Sequence, residues 1–396
     1  MLKRISCLGY FGYRNTGDEA ILSVLVDQMD KIGLRDKLVV FSGDVESTKR
    51  FHAVDAVQNI LPTSTSKFTV GILGRNRSNF VKSLRTYLKS DMLIIGGGGL
   101  FFDYPHTNEY VQQLLDKIRW GKRLGKKVVL LGVGVGPIHR HDTATALRST
   151  LDKADLICVR DNKSQQLLLE TGLSESAIHV TEDFAFLLKP VSEERIEYIL
   201  RKEELSKSYN TPLIGIGLCG RHAQDDWFRA AMVKFCDHVI QTLGARICFI
   251  PMQTGGGFDD RLDVRLIHEA INRKEMVTLV EHEYGPKEIL SIISKMDFVI
   301  GERFHAALFA ATSGVPVIGI SYMPKVKRLF HKIGQDDWCL DRDGLTGPKL
   351  IKVFDSLWET GSKVSADLRR LVPPLVDQSH LNFELFQQYL EKSQLL

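Results

Sequence analysis

Short apolar runs alternate with amphipathic stretches of helical length along this 396-residue chain, and the alternation starts afresh past the midpoint. A strand covered by helices on both faces has no solvated side, so it reads as an unbroken run of Val, Ile and Leu. Such runs separated by helix-length segments specify parallel sheets with crossover helices, an α/β class. In the first series the pattern predicts strands at 5–9, 37–41, 91–95, 127–131, 156–159 and 178–181, with helices at 19–32, 110–124 and 163–171. In the second it predicts strands at 213–218, 246–250, 276–280, 298–300 and 315–320.

A chain this long exceeds what one hydrophobic core usually supports, so two Rossmann-like domains are expected. The division reads as a first domain at 1–190, a linker at 191–211 marked by Pro190, a charged stretch and Pro212, and a second domain at 212–364. In the tail, 365–396, Leu381, Phe383, Leu385, Phe386, Tyr389 and Leu390 recur at helical spacing, and this helix can cross back onto the first domain. The two halves are expected to face one another across a cleft that holds a small phosphorylated anion.

A formal charge of +4 is too mild over this length to point to nucleic acid, which is not expected as a partner. The six cysteines, Cys7, Cys158, Cys219, Cys236, Cys248 and Cys339, lie far apart and mostly inside apolar runs, as small core residues of a reduced, cytoplasmic protein do. No metal is expected, since no His, Cys and acid cluster has zinc spacing. No apolar run reaches spanning length, so any membrane contact is expected to be peripheral. Between Lys67 and Lys89 there are six basic residues, Lys67, Arg75, Arg77, Lys82, Arg85 and Lys89, interleaved with apolar ones and with no acid among them. Two readings of this stretch stand: contact with an anionic membrane face, or an exposed helix face of the first domain.

Glycines punctuate the ends of the predicted strands. The turn from Gly9 through Gly12, Asn15 and Gly17 to Asp18 and Glu19 opens a helix, and helix N-termini seat anions. Asp18 and Glu19 read either as first-turn acids favouring the dipole or as groups facing a hydroxyl. Four consecutive glycines, Gly96, Gly97, Gly98 and Gly99, cost backbone entropy and imply close approach by something. Asp103 then either overlooks the cleft or caps a helix beginning near Pro105. Gly132, Gly134 and Gly136 repeat the theme, but Pro137 breaks the dinucleotide fingerprint, and no P-loop sequence is present.

In the second domain Arg303 and His305 stand where a strand becomes a helix. An arginine fork suits phosphate or carboxylate, and a neighbouring histidine can donate to a phosphate oxygen or pass a proton. Arg221 and His222 hold an equivalent position after another strand, as phosphate ligands or in a surface salt bridge. Lys325, after a third, reads as either a phosphate contact or an ordinary exposed lysine.

These motifs together, Gly9-Tyr10-Phe11-Gly12 with Asn15-Thr16-Gly17-Asp18-Glu19-Ala20, Gly99-Leu100, Gly134-Val135-Gly136-Pro137, Val159-Arg160-Asp161, Glu302-Arg303-Phe304-His305 and Gly319-Ile320-Ser321-Tyr322-Met323-Pro324-Lys325-Val326, resemble the polysaccharide pyruvyl transferases. The bacterial cell-surface-anchoring type is the most similar. The resemblance implies a GT-B-like fold and transfer of pyruvate from phosphoenolpyruvate, as a cyclic ketal, to a sugar of a cell-envelope glycan. In that subgroup the sugar is an N-acetylmannosamine on a lipid-linked precursor. No cofactor is implied, phosphoenolpyruvate being the donor substrate.

Carried over by position, Arg221, Arg303 and His305 resemble the donor-binding and catalytic set, with Lys325 beside them. Asp103, Asp18 and Glu19 are the alternatives for the base. Gly12, Asn15, Gly17, Gly97, Gly98, Gly99, Gly134 and Gly136 would form the acceptor side. Phe304 replaces a frequent Leu and Met323 a frequent Asp, and the latter departure bears on the acceptor more than on the donor. The rival readings are a nucleotide-sugar glycosyltransferase on the same scaffold, which the Ala at position 310 disfavours, and a non-catalytic sugar or nucleotide sensor.

Overall fold

Ile5, Ser6, Cys7 and Leu8 are buried along their whole length because parallel strands flank them on both sides. This run is β1 (Ile5–Leu8) of a seven-stranded sheet in the computed structural model, which describes residues 2–61, 76–205 and 211–395. The sheet continues with β2 (Leu38–Ser42), β3 (Asp55–Gln58), β4 (Met92–Phe101), β5 (Lys127–Val135), β6 (Leu156–Val159) and β7 (Ile178–Val180). The spatial order is β3-β2-β1-β4-β5-β6-β7, all parallel. The chain runs outward one way from β1, then returns to β4 and runs outward the other way. Ligands of open α/β sheets bind at such a reversal, beyond the carboxyl ends of the strands.

The second unit repeats the plan. Its strands are β8 (Leu213–Gly217), β9 (Arg246–Phe249), a two-stranded hairpin of β10 (Thr254–Gly255) and β11 (Phe258–Asp259), β12 (Val277–Leu279), β13 (Phe298–Gly301), β14 (Val317–Ser321) and β15 (Cys339–Asp341). The parallel sheet has the order β12-β9-β8-β13-β14-β15, so its reversal lies between β8 and β13. The first unit comprises Met1–Arg14, Asp18–Leu187 and Val376–Leu396, and the second Asn15–Gly17 and Leu188–Leu375. The expected two Rossmann-like α/β domains are present. Five of the six cysteines are buried.

Four local differences from the sequence expectation have physical causes. The glycine run is strand, not turn: β4 continues through Gly96–Gly99 to Phe101, and β5 continues to Val135. A helix, Val45–His52, and the short strand β3 after it went unread, although Asp44 caps that helix through Ser47 N. Their eight and four residues are too few to carry a period.

Within 191–211, the charged stretch forms the helix Glu193–Lys202, which belongs to the second unit and buries Ile196 and Ile199 there. Residues 206–210 fall outside the described part. In the tail, the helix Gly347–Leu371 extends beyond position 365 and stays with the second unit. Pro373-Pro374 then begins a new helix, since proline suits a first turn and not an interior. That last helix, Pro373–Lys392, returns to the first unit from Val376 onward.

Of the basic stretch, 67–75 lies outside the described residues. The remainder is the helix Arg77–Lys89, which buries Phe80, Ser83, Thr86 and Tyr87 and leaves Arg77, Lys82, Arg85 and Lys89 exposed. Among the described residues no helix is long and apolar enough to cross a membrane.

Asn382 fixes the returning helix. It is fully buried, donates from Nδ2 to the Glu182 and Ser379 carbonyls at 3.0 Å, and accepts from Thr181 Oγ1 at 2.8 Å. Asn382→Ala removes the side-chain donors to two buried carbonyls, while the Thr181 hydroxyl keeps Val159 O as an acceptor, and it should lower the stability of the first unit by about 1–3 kcal/mol. Urea unfolding followed by fluorescence measures it, and an unchanged transition would show that the helix is held by its apolar contacts alone.

Candidate functional site

In the second unit, β8, β13 and β14 are neighbours, and each ends in a residue small enough for the chain to turn sharply into a helix: Gly217, Gly301 and Ser321. After β8 come Cys219 and the short helical turn Gly220–Gln224, bearing Arg221 and His222. After β13 come Glu302 and Arg303, the latter in the N-cap position of the helix Phe304–Thr312. After β14 come Tyr322 and the helix Pro324–Lys332, with Lys325 in its first turn. Arg221, Arg303, His305 and Lys325 thus collect at one sheet edge, around the reversal between β8 and β13.

Two buried carboxylates organise this edge. Asp260 accepts hydrogen bonds from Gly220 N at 2.9 Å, Met252 N at 3.2 Å and Arg303 Nη2 at 2.6 Å. Glu302, fully buried, accepts from Cys219 N at 2.8 Å and lies 2.5 Å from His222 Nδ1 and 3.6 Å from Arg342 Nε. Arg342 also binds Asp225 and lies over the rings of Trp227 and Phe228. Neither Asp260 nor Arg342 was selected from the sequence. Asp260 lies 43 positions from Arg303, and no local motif marks it.

Arg303 is mostly buried, and its Nε is a buried donor with no hydrogen-bond acceptor among the described residues. Burial alone would weaken its charge, but the Asp260 carboxylate, which accepts a hydrogen bond from it, opposes that effect, and the guanidinium is held above its ordinary range. Burial pushes the Tyr322 phenol up to about 12, against the pull of Arg303. Burial also raises the Cys219 thiol. Both therefore stay neutral at physiological pH and serve as hydrogen-bonding or packing groups, not anions. The Tyr322 ring lies 5.1 Å from that of His222.

The other selected residues are placed less deeply. Arg221 is exposed, its guanidinium 4.7 Å from the centre of the Phe258 ring. Lys325 is half-buried with its ammonium 5.8 Å from the centre of the Phe304 ring. His305 packs edge-on to Phe304, ring centres 4.9 Å apart. Asn15–Gly17 cluster with this unit: Thr16 N donates to Met252 O at 2.8 Å, and Asn15 bridges Gln253. A Cβ on Gly17 would stand 1.8 Å from His305 Nδ1, so only glycine admits the imidazole here.

In the first unit the close approach implied by the glycines is made by the protein's own side chains. A Cβ on Gly97, where φ is +44°, would meet Ile21 at 2.4 Å and Phe184 at 2.9 Å. On Gly98 it would meet Asp18 Oδ1 at 2.8 Å, on Gly134 the Arg160 guanidinium at 2.6 Å, and on Gly136 Leu167 at 2.3 Å. Gly99 lies under Arg160 Nη2 at ordinary contact distance, 3.6 Å. Gly12 must lack a side chain because Ser42 Oγ and Asp44 N press on it. Arg160, anchored by Asp183 at 3.1 Å, is a further cation at this edge, beyond the set chosen from the sequence.

The three acids divide. Glu19 is buried, accepting from Gly12 N and contacting His52 Nε2, each at 2.8 Å. Asp103, 1% exposed, accepts from His139 N at 2.6 Å and Arg140 N at 3.2 Å and caps no helix, since the next one starts at Glu109. Both act as ties between loops. Asp18 is half-buried beside Gly98, at the reversal between β1 and β4.

Several known proteins are similar to this chain. The amylovoran biosynthesis protein AmsJ of Erwinia amylovora is 20% identical, over 93% of this chain and 95% of its own. Among solved structures, the UDP-bound MnaA of S. aureus matches with a TM-score of 0.66 at 12% identity, covering 100% of this chain and 98% of its own. The UDP-GlcNAc 2-epimerase of Neisseria meningitidis bound to UDP-GlcNAc matches with a TM-score of 0.65 at 13% identity, covering 98% and 100%. These likenesses show a shared two-domain fold of the GT-B kind. The family model for polysaccharide pyruvyl transferase matches residues 15–323, a span that takes in Arg221, Arg303 and His305 but not Lys325, and the chain belongs to that family.

Proposed function

We propose that the chain transfers pyruvate from phosphoenolpyruvate to two hydroxyls of a cell-envelope glycan sugar, closing a cyclic ketal and releasing phosphate. The observation that carries this reading is Arg303: a buried guanidinium with an unused Nε donor, set by Asp260 at a sheet edge that also bears Arg221, His305 and Lys325. A small dianionic donor has a carboxylate and a phosphate to be held, and two arginine forks suit those groups. N-acetylmannosamine on a lipid-linked precursor is the acceptor favoured by the cell-surface-anchoring resemblance. The amylovoran biosynthesis relative supports a polysaccharide more generally.

In this mechanism the enol-phosphate methylene carbon gains a proton and becomes a methyl group. A sugar hydroxyl oxygen bonds to the central carbon, the carbon–oxygen bond to phosphate breaks, and the second hydroxyl closes the ring. Of the two hydroxyl protons, one balances that gained by carbon and the other leaves with phosphate. His305 supplies a proton, Arg221 and Arg303 stabilise the anions, and one of Asp18, Glu19 and Asp103 is the base that relieves the first hydroxyl.

Phosphate release from phosphoenolpyruvate should require a glycan acceptor, and Arg303→Ala should reduce kcat/KM by about 10²–10³-fold, the usual effect of removing one preorganised donor. Turnover of a nucleotide sugar with no phosphate release would instead establish the glycosyltransferase reading. Binding with no turnover of either would leave a sensor.

His305→Gln should retain donor binding and lose about 10²–10⁴-fold in kcat, as expected for removal of a proton-transfer group. Equilibrium binding of phosphoenolpyruvate and steady-state rates separate the two effects. Weakened binding at unchanged kcat would reassign His305 to donor recognition.

A further inference from the structure

Phe102, Tyr104 and Tyr110 line a pocket of about 350 Å³ in the first unit, with Asn108, Glu109 and Gln113 among its polar lining. That volume falls at the small end of ligand sites, which are mostly aromatic and apolar walls carrying a few placed polar groups. Tyr104 and Tyr110 are 52% and 40% exposed. Large aromatic faces left open around a concavity mark a binding surface.

The platform is already assembled. Tyr104 N donates to Thr107 O at 2.9 Å and Thr107 N to Tyr104 O at 3.2 Å, closing a tight turn in which the His106 ring stacks on that of Tyr104 at 5.7 Å. Phe102 stacks on Tyr110 with ring centres 5.4 Å apart and meets Tyr104 edge-on at 5.6 Å. Beneath it the buried Asp103 ties the loop to His139 and Arg140. Gln113 Nε2 donates to Glu109 Oε1 at 3.0 Å, which orients that carboxylate. An immobile arrangement of this sort loses little entropy on binding.

The lining has no Lys or Arg, and its charges are carboxylates. Phosphoenolpyruvate or the phosphates of a nucleotide would be repelled. A neutral ring with C–H faces for the aromatic walls and hydroxyls to donate to carboxylate and carboxamide oxygens fits the chemistry. We infer that this pocket is a glycan subsite that binds a neutral pyranose ring of the acceptor. The inference rests on the glycan-modifying reading above and adds where the first unit grips the sugar.

Saturation-transfer NMR on the full chain without phosphoenolpyruvate, using methyl glycosides of N-acetylmannosamine, N-acetylglucosamine, glucose and galactose as probes, tests the pocket directly. Ring C–H protons of at least one glycoside should receive saturation. Tyr104→Ala and Tyr110→Ala should each weaken binding about 10-fold, the equivalent of one lost aromatic contact. Tyr104→Phe, which keeps the ring, should retain it. Both positions are exposed, so the substitutions leave the core intact, and an unchanged melting curve checks this.

Absence of saturation from all four probes, or alanine variants that bind like the parent chain, overturns the subsite. In turnover with a glycan acceptor, the same variants should raise KM for the glycan and leave KM for phosphoenolpyruvate unchanged. A parent chain that binds glycosides but releases no phosphate would remove the pyruvyl reading and keep the subsite, so the two failures are distinguishable.

Discussion

The carboxylate of Asp260 is the interaction on which the second unit's site depends. It is 3% exposed and joins the loop after β8, the loop after β9 and Arg303 after β13 through three hydrogen bonds. Loops at a sheet edge are ordinarily the mobile part of an α/β unit. Here a single anion converts three of them into one frame and also cancels the cost of burying the arginine. Removing one partner of such a buried pair costs about 3–5 kcal/mol, so neither group can be exchanged alone without loss of the frame. Glu302 does the same for Cys219, His222 and Arg342, and the two networks meet at consecutive positions, Glu302 and Arg303.

The first unit reaches rigidity differently. Its edge is made of strands whose glycines let side chains lie directly on the backbone: Ile21 and Phe184 on Gly97, Asp18 on Gly98, Arg160 on Gly134. Gly98 has φ of +77°, a conformation that a side chain at this position would strain. The result carries an acid and a cation on adjacent strands without loops long enough to wander. A buried carboxylate orients a cation in both units, Asp260 on Arg303 and Asp183 on Arg160, and the first unit adds glycine strands and an aromatic pocket.

Much of this was legible in the sequence. The doubled alternation of apolar runs specified two parallel-sheet units, and strand-to-helix junctions led directly to Arg221, Arg303, His305 and Lys325. What escaped were features whose cause lies far away in the chain. Four glycines in a row signal close approach but not by what, and Ile21, Asp18 and Phe184 supply it from distant segments. Asp260 carries no motif, and the backbone donors that hold Glu19 and Asp103 come into view only in the fold. The extension of β4 through its glycines contradicts their intrinsic strand propensity, which pairing with β5 overrides. The fold itself is shared with the UDP-bound MnaA and the UDP-GlcNAc-bound epimerase structures at 12–13% identity, so chemistry must be argued from these side chains and not from architecture.

In the proposed reaction carbon, and not only phosphate, is handled at Arg303 and His305. Running the reaction in D₂O and analysing the glycan product by mass spectrometry and NMR tests it most directly. The account predicts a cyclic ketal whose methyl group carries a solvent deuterium, formed in step with phosphate. A product with no ketal, or a glycan lengthened by a sugar from a nucleotide donor, would contradict it.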